Sequence, residues 1–375
     1  MTDPIAEPDT LRLDLGRRGY DIVIGQGLLS RAGGLVKPLL RGPRAVIVTD
    51  ENVGPLYLSR LADGLEAEGI RTSAITVPAG EQSKTFARLE DVMEQLLDQQ
   101  IDRRTALVAL GGGIVGDLAG FAAATALRGI DFIQVPTSLL AQVDSSVGGK
   151  TAINSRHAKN MIGAFHQPRL VLADIDTLTT LPHREVIAGY AEIVKHGLIS
   201  DPAFFDWCER NGAATVSGDP AVRREAVRRS CAIKAEVVAE DETEQGRRAL
   251  LNFGHTFGHA LESETGFSSS LLHGEAVAIG MIMAFDLSHR LGLCPGQDAE
   301  RVKAHFVQAG LPVGPGYVKD MRWNADALLA HMAGDKKAAG GKLTFILTRG
   351  IGQAFIAEGV TPEDVLGVVS EAVVA

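Results

Sequence analysis

The chain has 375 residues, enough for about two domains at roughly 100–200 residues each. Hydrophobic residues make up 45% and charged residues 22%, an ordinary globular balance that excludes a disordered or fibrous polypeptide. With 37 basic against 46 acidic residues the formal charge is -9, the wrong sign for a general nucleic-acid or anionic-membrane binder, so an anionic small molecule would have to meet a local basic cluster.

In chain order, residues 1–10 lack a basic start and an apolar core and read as a short disordered tail, not a signal peptide. Short apolar runs follow at Ala45–Val48, Ser73–Val77, Thr105–Leu110 and Phe132–Val135, with amphipathic stretches such as Phe86–Gln99 between them. That alternation predicts βαβ units on a parallel sheet, a Rossmann-like α/β domain over 1–182. From Leu181-Pro182 the texture turns helical, with periods over Arg184–Ile199, Ala221–Glu240, His273–Arg290 and Asp298–Gln308 and one late strand-like run, Leu343–Leu347. A mostly α-helical domain over 183–375 is expected, with the active site in a cleft between the two. No apolar stretch reaches the ~18 residues needed to span a bilayer. Cys208, Cys231 and Cys294 are odd in number and form no CxxC, which favours a reducing cytoplasm over a disulfide framework or a thiolate zinc site.

Gly111, Gly113 and Gly116 spell G-x-G-x-x-G after a predicted strand and before a helical run, the context in which bare amides and a helix N-terminus receive a dinucleotide pyrophosphate. The acidic ribose partner about 20 positions on would be Asp131, while Asp117 follows the last glycine directly and Asp50 ends an earlier strand, where it serves equally well as a helix cap. Gly149-Lys150-Thr151 imitates a Walker loop, but Asp144 occupies the position of its first glycine. Asp144 and Lys150 instead flank flexible backbone, a pair able to hold an anion or move a proton.

Leu251 to Ala260, reading Leu-Asn-Phe-Gly-His-Thr-Phe-Gly-His-Ala, is the most informative decapeptide. On a helix it would put Asn252, His255 and His259 on one face, with Gly254 and Gly258 leaving room for a bulky group. Thr256 stands where HExxH carries its glutamate, so a metalloprotease is disfavoured. His273 opens another helix and Glu192 sits within one; two histidines and a carboxylate make a catalytic zinc inventory, though the spacing alone does not choose among His196, His255, His259 and His273. Each of Lys195, Lys234, Arg248 and the Asp335-Lys336-Lys337 turn reads singly as a solvated charge, but their grouping near these histidines points to an anionic ligand.

Four segments, Gly111–Phe121, Pro136–Thr151, Lys159–Phe165 and Leu251–Ala260, together resemble the 3-dehydroquinate synthase family, a likeness running from about Leu11 to the end of the chain. The resemblance implies conversion of 3-deoxy-D-arabino-heptulosonate 7-phosphate to 3-dehydroquinate and phosphate in aromatic amino acid biosynthesis, by a cytoplasmic homodimer using NAD and Zn²⁺ or Co²⁺. It implies Glu192, His255 and His273 as metal ligands, with His259 facing substrate. It assigns NAD to Asp50, Glu81, Lys84, Gly113, Gly116, Asp117, Thr137, Ser138, Thr177 and Thr180, with Asp144, Lys150 and Lys159 also at the cofactor. Substrate would meet Lys150, Lys159, Asn160, Lys195, Lys234, Arg248, Asn252, His259 and either Lys336 or Lys337. Arg128 would reach the phosphate site of the neighbouring subunit, Glu244 would lie near the pocket, and Asp144, Lys150, Glu244 and His259 would take the catalytic roles. Ser138 replaces the second threonine of the family's Pro-Thr-Thr run and keeps its hydroxyl. Related cyclases making an amino-dehydroquinate or valiolone-type ring, and metal-dependent polyol dehydrogenases, share the expected architecture.

Overall fold

The computed structural model describes residues 7–157, 159–334 and 343–374. Its contacts divide the chain into two compact units, Met1–Leu181 with Arg223–Thr243 and Pro182–Val222 with Glu244–Ala375.

The first unit is built on strands β1 (Asp9–Leu13), β2 (Tyr20–Gly25), β3 (Arg44–Asp50), β4 (Arg71–Val77), β5 (Ala106–Gly111) and β6 (Phe132–Pro136), a small antiparallel pair β7 (Lys150–Ile153) and β8 (Ile162–Phe165), and β9 (Leu170–Asp174). The main sheet runs β1-β2-β9-β6-β5-β3-β4, parallel throughout except for β1 against β2. Helices α1 (Ala32–Val36), α2 (Gly54–Glu66), α3 (Phe86–Asp98) and α4 (Gly113–Thr125) cover both faces. Strand alternation sorts the core: Val46, Val48, Leu107 and Ala109 pack with α3 and α4, while Ala45, Ile47, Val108 and Leu110 pack with α1 and α2. At about 1.5–3 kcal/mol for each large aliphatic side chain taken fully out of water, these central strands carry most of the unit's stability. Because β3 is followed by β4 on one side and β5 on the other, the connectivity reverses between β3 and β5, where doubly wound sheets open a crevice at the strands' carboxyl ends.

The second unit contains α5 (His183–Ser200), α6 (Pro202–Ser217), the start of α7 (Pro220–Glu240), α8 (His255–Glu264), α9 (His273–Arg290), α10 (Gly296–Ala309), α11 (Ala325–Gly334), the antiparallel hairpin β10 (Leu343–Thr348) and β11 (Ala354–Val360), and α12 (Pro362–Val374). Most of α7 belongs with the first unit. Arg223 donates to the Leu178 carbonyl at 3.1 Å, Arg224 to Asp9 at 2.6 Å and the Cys231 thiol to the Gln142 carbonyl at 3.2 Å. A linear boundary at 182/183 therefore separates α7 from Leu178, Asp9 and Gln142, the partners of Arg223, Arg224 and Cys231. Of the expected tail 1–10, Asp9 and Thr10 belong to β1, where Arg224 holds Asp9, and residues 1–6 lie outside the described residues. The late strand has a partner, β11, that its mixed pattern of Gly359 and Glu358 concealed.

Glycines bring three helices of the second unit unusually close. A Cβ on Gly280 of α9 would stand 2.0 Å from the Gly254 carbonyl oxygen, one on Gly258 of α8 3.0 Å from the Ala276 carbonyl, and one on Gly274 2.0 Å from the Ala188 carbonyl of α5. The room expected at Gly254 and Gly258 is thus filled by the backbone of α9. Gly254 itself has φ +82°, a left-handed turn that breaks the helix, so Asn252 ends a preceding 3₁₀ turn (Arg247–Asn252) and does not share α8 with the two histidines.

Candidate active site

The first unit gathers most of the residues assigned to NAD at the β3/β5 reversal. Thr49 pairs with Leu110, so Asp50 and Gly111 lie side by side at the strand ends. Asp50 Oδ1 accepts the N–H groups of Asn52 and Val53 at 2.8 and 2.9 Å, shaping the turn into α2. Gly112 leads into α4 with no side-chain cap, leaving first-turn amides and the helix dipole for an anion. Gly111, Gly113 and Gly116 would each press a Cβ against Val115, Ser145 or Gln134 at 2.6–2.8 Å, so bare backbone is required there. This cradle fits a dinucleotide. Asp131, the alternative ribose acid, is engaged by Arg41 at 2.9 Å.

Around that loop Lys84, 3% exposed, donates to Asp117 at 2.7 Å and to Asn160. Burial raises the Asp117 pKa above the ordinary carboxylate value, opposed by the Lys84 charge. Asn154 links two further residues, donating to Glu81 at 2.6 Å and accepting the Asn160 N–H at 2.9 Å. The Thr137 N–H bonds the Gly111 carbonyl, Ser138 Oγ accepts from Ala141, and the Tyr57 hydroxyl ties Thr180 to the Thr177 carbonyl. Asp144 sits on a π-turn (Ala141–Ser145), where buried Lys234 of α7 contacts both its carbonyl and its carboxylate at 2.6 Å. Lys150 opens β7, a strand and not the helix a Walker lysine would precede, and Lys159 and Asn160 lie in the turn before β8. Arg128 (φ +70°), Asn160 (φ +57°) and Glu244 (φ +59°) hold left-handed backbone, a strain that concentrates at functional positions.

The second unit assembles a group of side chains that could hold a metal ion. Glu192, His255 and His273, from α5, α8 and α9, each offer a ligand atom within 4.8 Å of the other two, and the His255 and His273 ring centroids are 5.2 Å apart. Glu192 is fully buried; its Oε2 forms an ion pair with Lys195, while its Oε1 has no hydrogen-bond partner. A buried carboxylate with one oxygen unsatisfied, facing two imidazoles, is a donor set suited to a zinc-like cation with an open position. The close helix approach at Gly274, Gly280 and Gly258 creates this grouping. His196 is buried on the same helix as Glu192 but outside the grouping.

Nearby, Asn252 donates to Glu244 at 2.9 Å and His259 is exposed with its ring 6.0 Å from that of His273. Lys195, Lys234 and Arg248 are at most 6% exposed, so these cations are not solvated surface charges. Lys336 and Lys337 lie outside the described residues. Sequence reasoning missed Glu262, a buried carboxylate 3.2 Å from His273 Nδ1, although its place seven residues after His255 on α8 was readable. It also missed Glu275, which accepts two bonds from Arg184, one from Tyr317 and the N–H of Leu272, fixing the start of α9 next to His273. Cys208, Cys231 and Cys294 are buried, and burial pushes the Cys231 thiol up to about 12.

Residues 74–188 match the 3-dehydroquinate synthase N-terminal family and residues 189–338 the C-terminal one. The chain belongs to the 3-dehydroquinate synthase family. The 3-dehydroquinate synthase of Rhodospirillum rubrum is 58% identical over 355 residues, 94% of this chain and 92% of its own. Among solved structures, 2-deoxy-scyllo-inosose synthase complexed with carbaglucose-6-phosphate, NAD⁺ and Co²⁺ superposes with a TM-score of 0.85 at 27% identity, covering 97% of this chain and all of its own. The 2-epi-5-epi-valiolone synthase of Streptomyces hygroscopicus subsp. jinggangensis 5008, with NAD⁺ and Zn²⁺ bound, gives 0.85 at 30% identity over 94% of this chain and 96% of its own. Family membership fits the site: of the segments that carry the resemblance, Gly111–Phe121 forms the glycine cradle and Leu251–Ala260 carries His255 and His259. No helix among the described residues is long and apolar enough to cross a membrane.

Proposed function

We propose that this protein converts 3-deoxy-D-arabino-heptulosonate 7-phosphate to 3-dehydroquinate and phosphate, with NAD and Zn²⁺ or Co²⁺ as resident cofactors. The observation that carries the reading is the Glu192, His255 and His273 cluster in a chain that also carries the uncapped glycine cradle at α4 and belongs to this family. When bound, NAD supplies a temporary oxidation that acidifies the neighbouring C–H, and the cation holds vicinal hydroxyls and lowers their pKa.

The chain's own groups do the positioning. Asp50, Glu81, Thr137, Ser138, Thr177 and Thr180 grip the nucleotide, Lys84 and Asp117 fix the loop beside its pyrophosphate, and Asp144, Lys150 and Lys159 border it. Lys150, Asn160 and Lys336 orient the phosphate so that the departing group can itself accept the proton, with Arg128 serving the site of a second copy in a homodimer. Lys195, Lys234, Arg248 and Asn252 neutralise and hold the substrate carboxylate and hydroxyls, while His259 and Glu244 move protons at hydroxyls during reduction and ring closure. A cytoplasmic setting suits the three buried cysteines, whose spacing gives no disulfide framework.

Incubation with the heptulosonate phosphate, NAD and Zn²⁺ should release stoichiometric phosphate without net NADH. Absence of release overturns the reading. A competing cyclase reading, suggested by the two solved neighbours, would show instead as faster turnover on another sugar phosphate, and a polyol dehydrogenase as NADH that accumulates with product.

A further inference from the structure

We infer that Glu262 is a positioning residue for the metal, acting through His273; the inference rests on the assignment of the ion to Glu192, His255 and His273. Glu262 is 2% exposed, and its Oε2 lies 3.2 Å from His273 Nδ1. Burying a carboxylate costs several kcal/mol unless its partners repay it, so its placement against an imidazole calls for a reason. A carboxylate accepts hydrogen bonds, which puts the ring proton of neutral His273 on Nδ1 and leaves the Nε2 lone pair for an ion. His255 follows the same rule: its Nδ1 faces the Phe253 carbonyl at 3.3 Å, also an acceptor. Both imidazoles are thereby set in one tautomer, His273 by Glu262 of α8 and His255 by the Phe253 carbonyl just ahead of α8.

A second set of donors, His259, Glu262 and His273, also lies within 4.8 Å. A cation bound there through His273 Nδ1 would have to displace the hydrogen bond to Glu262, and His259 is exposed, whereas Glu192 is wholly buried with its Oε1 unsatisfied. Glu262 therefore serves as the hydrogen-bond partner of a ligand, not as a ligand. Outer partners of this kind are worth 10–100-fold in metal affinity.

The test is Zn²⁺ affinity measured by competition with a chromophoric chelator, together with the visible spectrum of the Co²⁺ form and the melting of the metal-free protein. Glu262→Gln should weaken Zn²⁺ by about 10–100-fold, keep a Co²⁺ spectrum with a shifted band, and leave the metal-free melt close to that of the parent; Glu262→Asp, which retains the charge, should recover part of the affinity. His259→Ala should leave Zn²⁺ affinity unchanged. Unaltered affinity in Glu262→Gln overturns the proposal, as does complete loss of the Co²⁺ spectrum, which would make Glu262 a direct ligand. If His255→Ala still binds Zn²⁺ with parental affinity, the metal assignment itself fails, and the proposal falls with it.

Discussion

At Asp50 one side chain has two tasks that substitution can separate. Its Oδ1 accepts two backbone N–H groups that shape the entry to α2, while its charge sits at the strand end assigned to the cofactor ribose. Asp50→Asn keeps an acceptor for the turn and removes the charge. Its thermal melt should stay near that of the parent, while the NAD Kd, read by fluorescence titration, should rise about tenfold, the roughly 1.4 kcal/mol of a charge-assisted hydrogen bond. Residues of this kind were legible from the sequence because their chemistry is tied to motifs: the glycines at 111–116, Asp144, and the histidines of 251–260. Glu262 and Glu275 were not, because a buried glutamate and a surface one look alike until the neighbouring helix supplies the histidine or arginine that engages it. The expectation that Asn252 shares a helix with His255 failed because Gly254 adopts a left-handed conformation that spacing alone does not disclose.

At the scale of elements, glycine decides how closely α5, α8 and α9 approach. Gly280→Ala forces a Cβ within 2.0 Å of the Gly254 carbonyl, and since the obstacle is backbone no rotamer relieves it. The variant should lose about 3 kcal/mol of unfolding free energy or more in denaturant titration and bind Zn²⁺ poorly. Gly34→Ala is the control: exposed within α1 with nothing within 4 Å, it should gain about 0.5–1 kcal/mol. A second effect belongs to α5, α6 and α10, where buried His305 on α10 meets the Tyr190 hydroxyl at 3.0 Å and that hydroxyl bonds the Cys208 carbonyl. Burial lowers the His305 pKa, with Glu209 pulling it up and Arg301 down. The folded protein therefore holds its proton less readily than the unfolded chain. Stability from this group is complete above about pH 6.5 and is lost as pH falls through the lower folded value. His305→Gln should flatten the dependence of the melting temperature on pH between about 7 and 5, where a protonating histidine contributes; an unchanged slope would place the acid sensitivity elsewhere. Helix existence was readable from apolar periodicity, as the agreement at His273–Arg290 shows, whereas the four-residue strands β7 and β8 carry too few alternating residues to stand out and β11 is interrupted by Glu358 and Gly359.

Taken as a whole, the molecule divides its chemistry between two units. Every described residue assigned to NAD lies in Met1–Leu181, and the three side chains proposed to hold the metal lie in the other unit. Exhaustive chelation should therefore abolish turnover yet leave the NAD Kd within about threefold, a change below 0.7 kcal/mol; loss of NAD binding on metal removal would contradict this partition. The division was visible in the sequence as a change from strand-rich to helix-rich texture near Leu181. The return of α7 was not, because its membership is set by Asp9, Leu178, Gln142 and Asp144, far away along the chain.

That return constrains how such a protein can be recombined. The backbone passes between the units three times, at 181/182, 222/223 and 243/244. A chimera spliced near residue 182 from two relatives would take α7 from one parent and the π-turn that receives Lys234 and Cys231 from the other. Domain shuffling in this fold must therefore exchange discontinuous blocks, with 223–243 travelling alongside the amino-terminal half, if each parent's internal fit is to survive the cut.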